Sequence, residues 1–224
     1  MNKRKNKSNS AGSKKVSYKQ DHLEKDPYTF EPFDTWKWRT FHGEKALNLE
    51  EFIEKNKNRL FFIGTDSQQY PKNKKCVFTS VLIAYDYDKD FGGGHGATIA
   101  RHTDKRHIVP IYNLGNRLTV EVQRSIELCK HLESTLERIT ENEMESLRIK
   151  AEENGWPDEY LMRKLDAADY TDNMMGVCID VSRNDIDESS RYKESLAGMV
   201  IQHGWRAYIK PEAWGASSVA DKKC

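Results

Sequence analysis

Residues 60–68, LFFIGTDSQ, place a carboxylate directly behind a short apolar run. A run of this length that is rich in aromatic and β-branched residues predicts a buried strand rather than a helix. Asp66 then stands at the end of that strand, where its removal from water is costly unless a metal ion, a cation or hydrogen bonds compensate it. The sequence therefore predicts partners for Asp66 elsewhere in the chain.

A second apolar run ends in the same way. Residues 175–181, MGVCIDV, predict another short buried strand, and this one carries Asp180. Residues 76–87 and about 97–108 predict two further strands that form a meander with the first. The glycine-rich residues 91–96 between them lack the following helix and the Lys-Ser/Thr ending of a phosphate-binding loop, so they predict a hairpin tip.

Helical periodicity fills most of the remaining chain. A long amphipathic helix is predicted by apolar residues at three- and four-residue spacing, namely Leu118, Val122, Ile126, Cys129 and Leu132. Glu121 lies in the first turns of this helix, which should end near Gly155. Shorter helices are predicted from Asn48, an expected N-cap, to about residue 57, and over 158–165 and 188–202. Residues 205–209 predict a last strand, and residues 214–224 predict a capped helical turn that carries Asp221.

Composition excludes several classes of protein. The 224 residues, 37% of them hydrophobic, suffice for one globular domain with a small appendage. No apolar run approaches the roughly 18 residues of a membrane span, and the basic N-terminus resembles no signal peptide, so we expect a cytoplasmic protein. The four cysteines lie far apart without a CxxC pair, which argues against a zinc site and against a disulfide framework.

The N-terminal part divides into two segments. Residues 1–25 predict a disordered basic arm, which is either a solubilising tail or a source of nonspecific attraction to nucleic acid. Residues 26–58 combine an aromatic extension with the first helix. The alternation of Trp36 and Trp38 predicts an extended segment whose rings pack on the core, which we favour over stacking on nucleic-acid bases.

The order of these elements, β-β-β-α-β-α-β-α, resembles that of the ribonuclease H-like fold. Between about residues 60 and 221 the motifs are similar to those of the YkuK-type family of the ribonuclease H-like superfamily, and they read GTDSQ, TVEVQRSIELCKHL, RHTDKRHIVP, IDVS and IKPEAWGASSVAD. The resemblance implies an α/β fold with a five-stranded mixed sheet flanked by helices. It places this domain at residues 59–224, with a helical extension at about 133–172.

Catalytic members of that fold carry acids on the first strand, the first long helix, the fourth strand and the closing helix. The resemblance therefore implies a catalytic, metal-binding set of Asp66, Glu121, Asp180 and Asp221. It also implies that Asp66 bridges two Mg²⁺ or Mn²⁺ ions, with Asp180 and Glu121 completing one site and Asp221 the other. Clustered carboxylates repel one another unless cations offset their charge, and two such ions can activate a water molecule for phosphodiester hydrolysis.

Each weaker member of the set also has an ordinary explanation. Glu121 is equally typical of an acid at a helix start, where the helix dipole favours it. Asp221 is equally typical of a solvated residue close to the end of a helix, because only three residues follow it.

Basic residues precede the long helix and the closing turn. Arg101, Lys105 and Arg106 are candidate contacts for nucleic-acid phosphates, and the alternative is a solvated strand edge. Lys210 either steadies a phosphate or only caps the last strand.

Two functions from different classes follow. The first is a metal-dependent nuclease that hydrolyses phosphodiester bonds of RNA, DNA or a hybrid. The second is a catalytically silent ribonuclease H-like protein that binds nucleic acid or acts as a scaffold, because a fold by itself does not imply activity. A strand-transfer or junction-resolving enzyme is a third, less favoured interpretation, because such enzymes need a dimer or further DNA-binding domains.

Overall fold

The strands form where the apolar runs predict them. The computed structural model describes residues 32–73, 75–88, 93–107 and 113–221. Within these residues one six-stranded sheet is built from β1 (Trp38–Thr40), β2 (Leu60–Tyr70), β3 (Lys75–Asp88), β4 (Gly93–His107), β5 (Met174–Ile179) and β6 (Ala207–Ile209). The α-helices are α1 (Leu49–Lys55), α2 (Leu114–Asn154), α3 (Asp158–Ala167) and α4 (Lys193–Ile201).

The sheet is mixed, as predicted, but it has one strand more than the predicted five. The strand order is β1-β4-β3-β2-β5-β6. β2, β3 and β4 form the predicted antiparallel meander, whereas β5 runs parallel to β2 and β6 parallel to β5. The additional strand is β1, which pairs with β4 from Trp38↔His102 to Thr40↔Ala100. The prediction of five strands was wrong because the extended aromatic segment uses the backbone groups on the open edge of β4.

Helix α2 covers one face of the sheet. Its apolar residues, among them Leu118, Val122 and Leu132, are buried in the main core together with Phe61 of β2 and Leu82 of β3. The helix ends where the sequence predicts, since Gly155 adopts the left-handed conformation (φ +59°) that glycine tolerates best.

A short segment covers the opposite face. Residues Gly215–Ala220 form the predicted helical turn, but it is π-helical rather than the α-helix expected at the end of the element order. Val219 and Ala220 pack against Val81 and Ile83 of β3. The absence of a side chain at Gly215 permits this approach, because a Cβ there would lie 3.1 Å from the Cys178 sulfur and 3.2 Å from Ile83 Cδ1.

The aromatic segment joins the core, as predicted. Trp36 and Trp38 are each only 6% exposed. The Trp36 indole stacks on the ring of His102 with centroids 4.7 Å apart. Base stacking by these two rings is therefore excluded, because they are buried against β4.

Two boundaries differ from the prediction. β2 continues to Tyr70, so Asp66 lies inside the strand rather than at its end. The helix predicted over 188–202 begins as a 3₁₀ helix, Glu188–Tyr192, before α4. The first helix is capped as expected, because the Asn48 side chain accepts hydrogen bonds from the backbone N–H groups of Glu50 and Glu51.

Some predictions fall on other parts of the chain. The basic arm at 1–25 and part of the glycine-rich tip lie outside the described residues, and the proposed domain boundaries stay predictions. Among the described residues the cysteines Cys76, Cys129 and Cys178 are buried. No helix in the described ranges combines the length and apolar character that crossing a membrane requires.

Candidate active site

Asp66 and Asp180 lie side by side on one face of the sheet. Gly64 of β2 and Cys178 of β5 are register partners, and each acid lies two residues further along its chain. Because side chains alternate between faces along a strand, both carboxyl groups lie on the face covered by the closing π-helical turn. Asp66 is 9% exposed, and the Asp180 side chain is 19% exposed.

Asp221 approaches the same carboxyl group from the closing turn. This turn packs on β2 and β3 and ends directly before Asp221. Asp180 and Asp221 both raise the pKa of Asp66 by charge repulsion. Two acids from distant parts of the sequence therefore act on the Asp66 carboxyl group.

Glu121 comes from the other side of the sheet, on α2. It is 4% exposed, and its Oε1 accepts a hydrogen bond of 2.5 Å from the Ser67 hydroxyl. Ser67 and Thr65 face α2, because Thr65 Oγ1 accepts a hydrogen bond of 2.9 Å from Ser125. Asp66, which lies between them in β2, consequently faces away from the helix.

The electrostatics of the two buried acids are unfavourable to negative charge. Burial is the largest cause that raises the pKa of Asp66, which reaches about 7, and the charges of Asp180 and Asp221 add to this shift. A hydrogen bond from the Ser67 backbone and the charge of Arg117 lower the same pKa. Burial also holds the pKa of Glu121 well above its usual range, and the charge of Asp66 is the next cause. Each carboxyl therefore gains stability from added positive charge.

Comparison with known families gives one match. The family described as ribonuclease H-like matches residues 45–224. The chain belongs to the ribonuclease H-like family. No curated protein matches it, and no solved structure does.

The acids of this ribonuclease H-like chain do not form a closed ligand set as they stand. Within residues 32–73, 75–88, 93–107 and 113–221, no three His, Cys, Asp or Glu side chains are gathered closely enough to hold a metal ion. Lys210 occupies part of the site instead, because its Nζ lies 2.6 Å from Asp180 Oδ1. Lys210 thus neutralises one of the four predicted acids, a role that neither sequence interpretation included.

Of Arg101, Lys105 and Arg106, which form the predicted basic patch, only Arg101 has a side chain in the described part of the structure. Arg101 lies on the same sheet face as Asp66, two strands away, and its Nη1 donates to Thr103 Oγ1 at 2.9 Å. The side chains of Lys105 and Arg106 lie outside the described part of the structure, so their proposed phosphate contacts stay predictions.

Arg117 is a site residue that the sequence analysis missed. Its Nη1 donates to the Ser67 carbonyl at 3.1 Å, and its charge lowers the pKa of both Asp66 and Glu121. The available signal was helical spacing, because Arg117 stands four residues before Glu121 and therefore lies one turn away on the same face of α2.

Proposed function

We propose that this ribonuclease H-like protein is a metal-dependent nuclease that hydrolyses phosphodiester bonds of nucleic acid, with Asp66, Glu121, Asp180 and Asp221 as its catalytic acids. The proposal includes membership of the YkuK-type branch and a cytoplasmic location. The observation that carries it is the convergence of acids on Asp66 of β2, whose pKa the charges of Asp180 and Asp221 raise, while the charges of Asp66 and Asp180 raise that of Glu121 on α2. A purely structural role does not account for two buried acids whose charged forms are destabilised by neighbouring acids.

The chemistry of the donor set fits a hard divalent cation. All four candidate ligands are carboxylates, and Mg²⁺ and Mn²⁺ prefer oxygen ligands. The pKa of Asp66 is raised to about 7, so the charged form of this acid gains stability from an added cation. Asp66, Glu121, Asp180 and Asp221 would hold the ions, which when bound activate a water molecule and stabilise the leaving oxygen.

The residues of the chain have separable tasks in this proposal. The pKa of about 7 means that, without an added cation, the Asp66 carboxyl group holds a proton in roughly half of the molecules at neutral pH. The Ser67 hydroxyl fixes the orientation of Glu121 through their hydrogen bond. Arg117 fixes the backbone of β2 between these acids by its bond to the Ser67 carbonyl. Lys210 offsets the charge of Asp180 through their ion pair.

A second function has specific support. The Lys210 ammonium already compensates Asp180, and no three acids among the described residues meet closely enough to share an ion. Both observations favour a catalytically silent protein that binds nucleic acid or acts as a scaffold. Under that alternative the protein binds nucleic acid but gains no activity and no affinity from Mg²⁺ or Mn²⁺.

The decisive experiment measures cleavage and metal binding in parallel. Labelled single-stranded RNA, single-stranded DNA, duplex DNA and RNA–DNA hybrid are incubated with the protein and Mg²⁺ or Mn²⁺, beside the Asp66→Asn variant. We expect cleavage of at least one substrate and a loss of about 100-fold or more in the variant, because the charge that stabilises the transition state is removed. Calorimetric titration with Mn²⁺ should show binding that Asp66→Asn and Asp180→Asn weaken.

Asp86→Asn is the matched control. Asp86 is a half-exposed acid near the opposite end of β3, where it pairs with Arg59 at 3.4 Å, and its replacement should leave cleavage and Mn²⁺ binding unchanged. Failure to cut any substrate with either ion would favour the silent alternative. Equal loss in the Asp86 and Asp66 variants would show that the effect is not specific to the site.

A further inference from the structure

A cavity of about 470 Å³ opens beside Asp180, and none of the described residues that line it is acidic. It lies between the segments that follow β5 and β6, and its lining residues are Ser182, Arg183, Asn184, Lys210 and Pro211. The backbone N–H of Lys210 donates to the Val181 carbonyl at 3.1 Å, which fixes the two segments next to each other. This hydrogen bond therefore holds the two walls of the open cavity next to each other.

Two cations stand at this cavity, each paired with an acid outside its lining. Lys210 lies 2.6 Å from Asp180, and Arg183 lies 2.9 Å from Glu212. The Lys210 and Arg183 side chains are 45% and 58% exposed. Both partners of the Arg183–Glu212 pair are exposed, so the pair is worth only about 0–1 kcal/mol and an incoming anion can replace Glu212. The Asp180 side chain is only 19% exposed, so a phosphate would join Asp180 at Lys210 rather than replace it.

Local hydrogen bonds order the wall that carries Arg183. The Asn184 N–H donates to the Ser182 hydroxyl at 3.0 Å, and the Ser182 N–H donates to the Ser189 hydroxyl at 3.2 Å. A cation on an ordered loop loses less conformational entropy when it binds an anion than one on an unordered loop.

The position of the cavity indicates which anion it suits. β6 is two strands from β2, and neighbouring strands are about 4.8 Å apart, so the end of β6 lies about 10 Å from Asp66. A phosphate bound there by Arg183 would be a neighbour of the one cleaved at Asp66, and Lys210, which lines the cavity and contacts Asp180, links the two positions.

We propose that the cavity between residues 182–184 and 210–211 is a phosphate subsite, in which Arg183 and Lys210 bind a phosphodiester group next to the scissile one. This inference rests on the proposed function, because it assumes a nucleic-acid strand at the acids. It assigns Arg183 a role in binding, and it gives Lys210 a second anionic partner besides Asp180.

The test measures binding with metal ions chelated by EDTA, so that it requires no cleavage. Affinities for single-stranded RNA and single-stranded DNA of one sequence are measured over a range of salt concentrations for the parent and for Arg183→Gln. We expect the variant to bind about three- to tenfold more weakly, and the slope of log affinity against log salt to fall by about 0.7. Equal losses with both strands indicate phosphate recognition, and a loss with one strand alone would overturn it.

Two further variants sharpen the test. Arg138→Gln removes another exposed arginine, paired with Glu50 at 3.0 Å and distant from the cavity, and it should change neither affinity nor slope. Glu212→Gln frees Arg183 from its acid and should tighten binding about twofold or more. The opposite signs expected for Arg183→Gln and Glu212→Gln distinguish the subsite from any general loss of folding.

The outcomes separate the two proposals. If Arg183→Gln binds like Arg138→Gln, the subsite is overturned, even where the parent cuts nucleic acid. If Arg183→Gln weakens binding while the parent cuts nothing, the subsite stands and the nuclease fails. Absence of any nucleic-acid binding by the parent overturns the subsite.

Discussion

Helix α2 carries two buried charged residues one turn apart, and the groups in contact with them differ in charge. Arg124 is completely buried, and its Nη1 donates to Asp104 at 3.0 Å, with the Trp36 ring 4.3 Å from the guanidinium carbon. Glu121 is 4% exposed, and a neutral hydroxyl from Ser67 is its hydrogen-bond donor, while the charge of Asp66 repels it. The first charge is paired directly with an acid, whereas the second contacts a neutral hydroxyl, and the charge of Arg117 lowers its pKa without reversing the upward shift.

This difference separates a structural charge from a functional one. Burial of an ion is costly, and a paired ion of opposite sign offsets that cost without help from solution. A carboxylate without such a pair keeps a raised pKa and gains from any cation that reaches it. The fold therefore pairs Arg124 with Asp104, whereas the Glu121 carboxyl group gains stability from a further cation.

The largest expected effect concerns the completed pair. Asp104→Asn leaves the Arg124 charge buried without its counter-charge, so we expect the free energy of unfolding to fall by about 3–5 kcal/mol. Urea denaturation at pH 7 measures this loss. The double variant Arg124→Met/Asp104→Leu removes both charges and should recover most of it, and a double variant as unstable as Asp104→Asn would contradict a purely structural pair.

The next effect concerns the pH dependence of the open site. Burial raises the pKa of Asp66 from 3.8 to about 7, so the folded chain binds more protons than the unfolded chain between these values. The contribution of Asp66 to the free energy of unfolding is therefore complete below about pH 4. This contribution is lost, by about 2–4 kcal/mol, as the pH rises to about 7. Denaturation of the metal-free protein at several pH values should show this loss relative to Asp66→Asn. A pH-independent difference between the two proteins would contradict the raised pKa.

The smallest expected effect concerns the Ser67 hydroxyl, which donates a hydrogen bond to Glu121. Ser67→Ala removes the hydrogen bond to Glu121 and should lower the free energy of unfolding by about 1–2 kcal/mol. The loss should grow as pH rises, because this bond favours the charged form of Glu121. Ser125→Ala is the control, since its buried hydroxyl donates to the neutral Thr65 hydroxyl and its replacement should cost the same at every pH. If the loss of stability depended on pH in the same way for both variants, the Ser67 hydroxyl would not favour the charged form of Glu121.

Much of the sheet was predictable because local patterns specify it. The apolar runs before Asp66 and Asp180 formed β2 and β5, and the periodic residues after Asn113 formed α2 up to Gly155. The failures came from long-range pairing. No local signal indicated that residues 38–40 would pair with β4, or that the final turn would be a π-helix pressed on Cys178 and Ile83.

The candidate site was predictable in its acids but not in its cations. Family motifs and strand ends indicated Asp66 and Asp180, which the parallel register of β2 and β5 aligns on one face. Arg117 was missed, and so was the pairing of the predicted residue Lys210 with Asp180, because these interactions depend on side chains that meet only after α2 and β6 have packed. The cavity beside Arg183 could not be predicted for the same reason, because it forms between segments that are far apart in the sequence.

The sequence by itself determined which segments are strands and helices and which residues carry the candidate chemistry, because hydrophobic periodicity and residue type act locally. Only the tertiary structure decided which charges neutralise one another. It paired Arg124 with Asp104 and Lys210 with Asp180, and it left Asp66 and Glu121 with raised pKa values. The physical reason is that desolvation and charge interactions depend on distances between residues far apart in the chain, which packing alone sets.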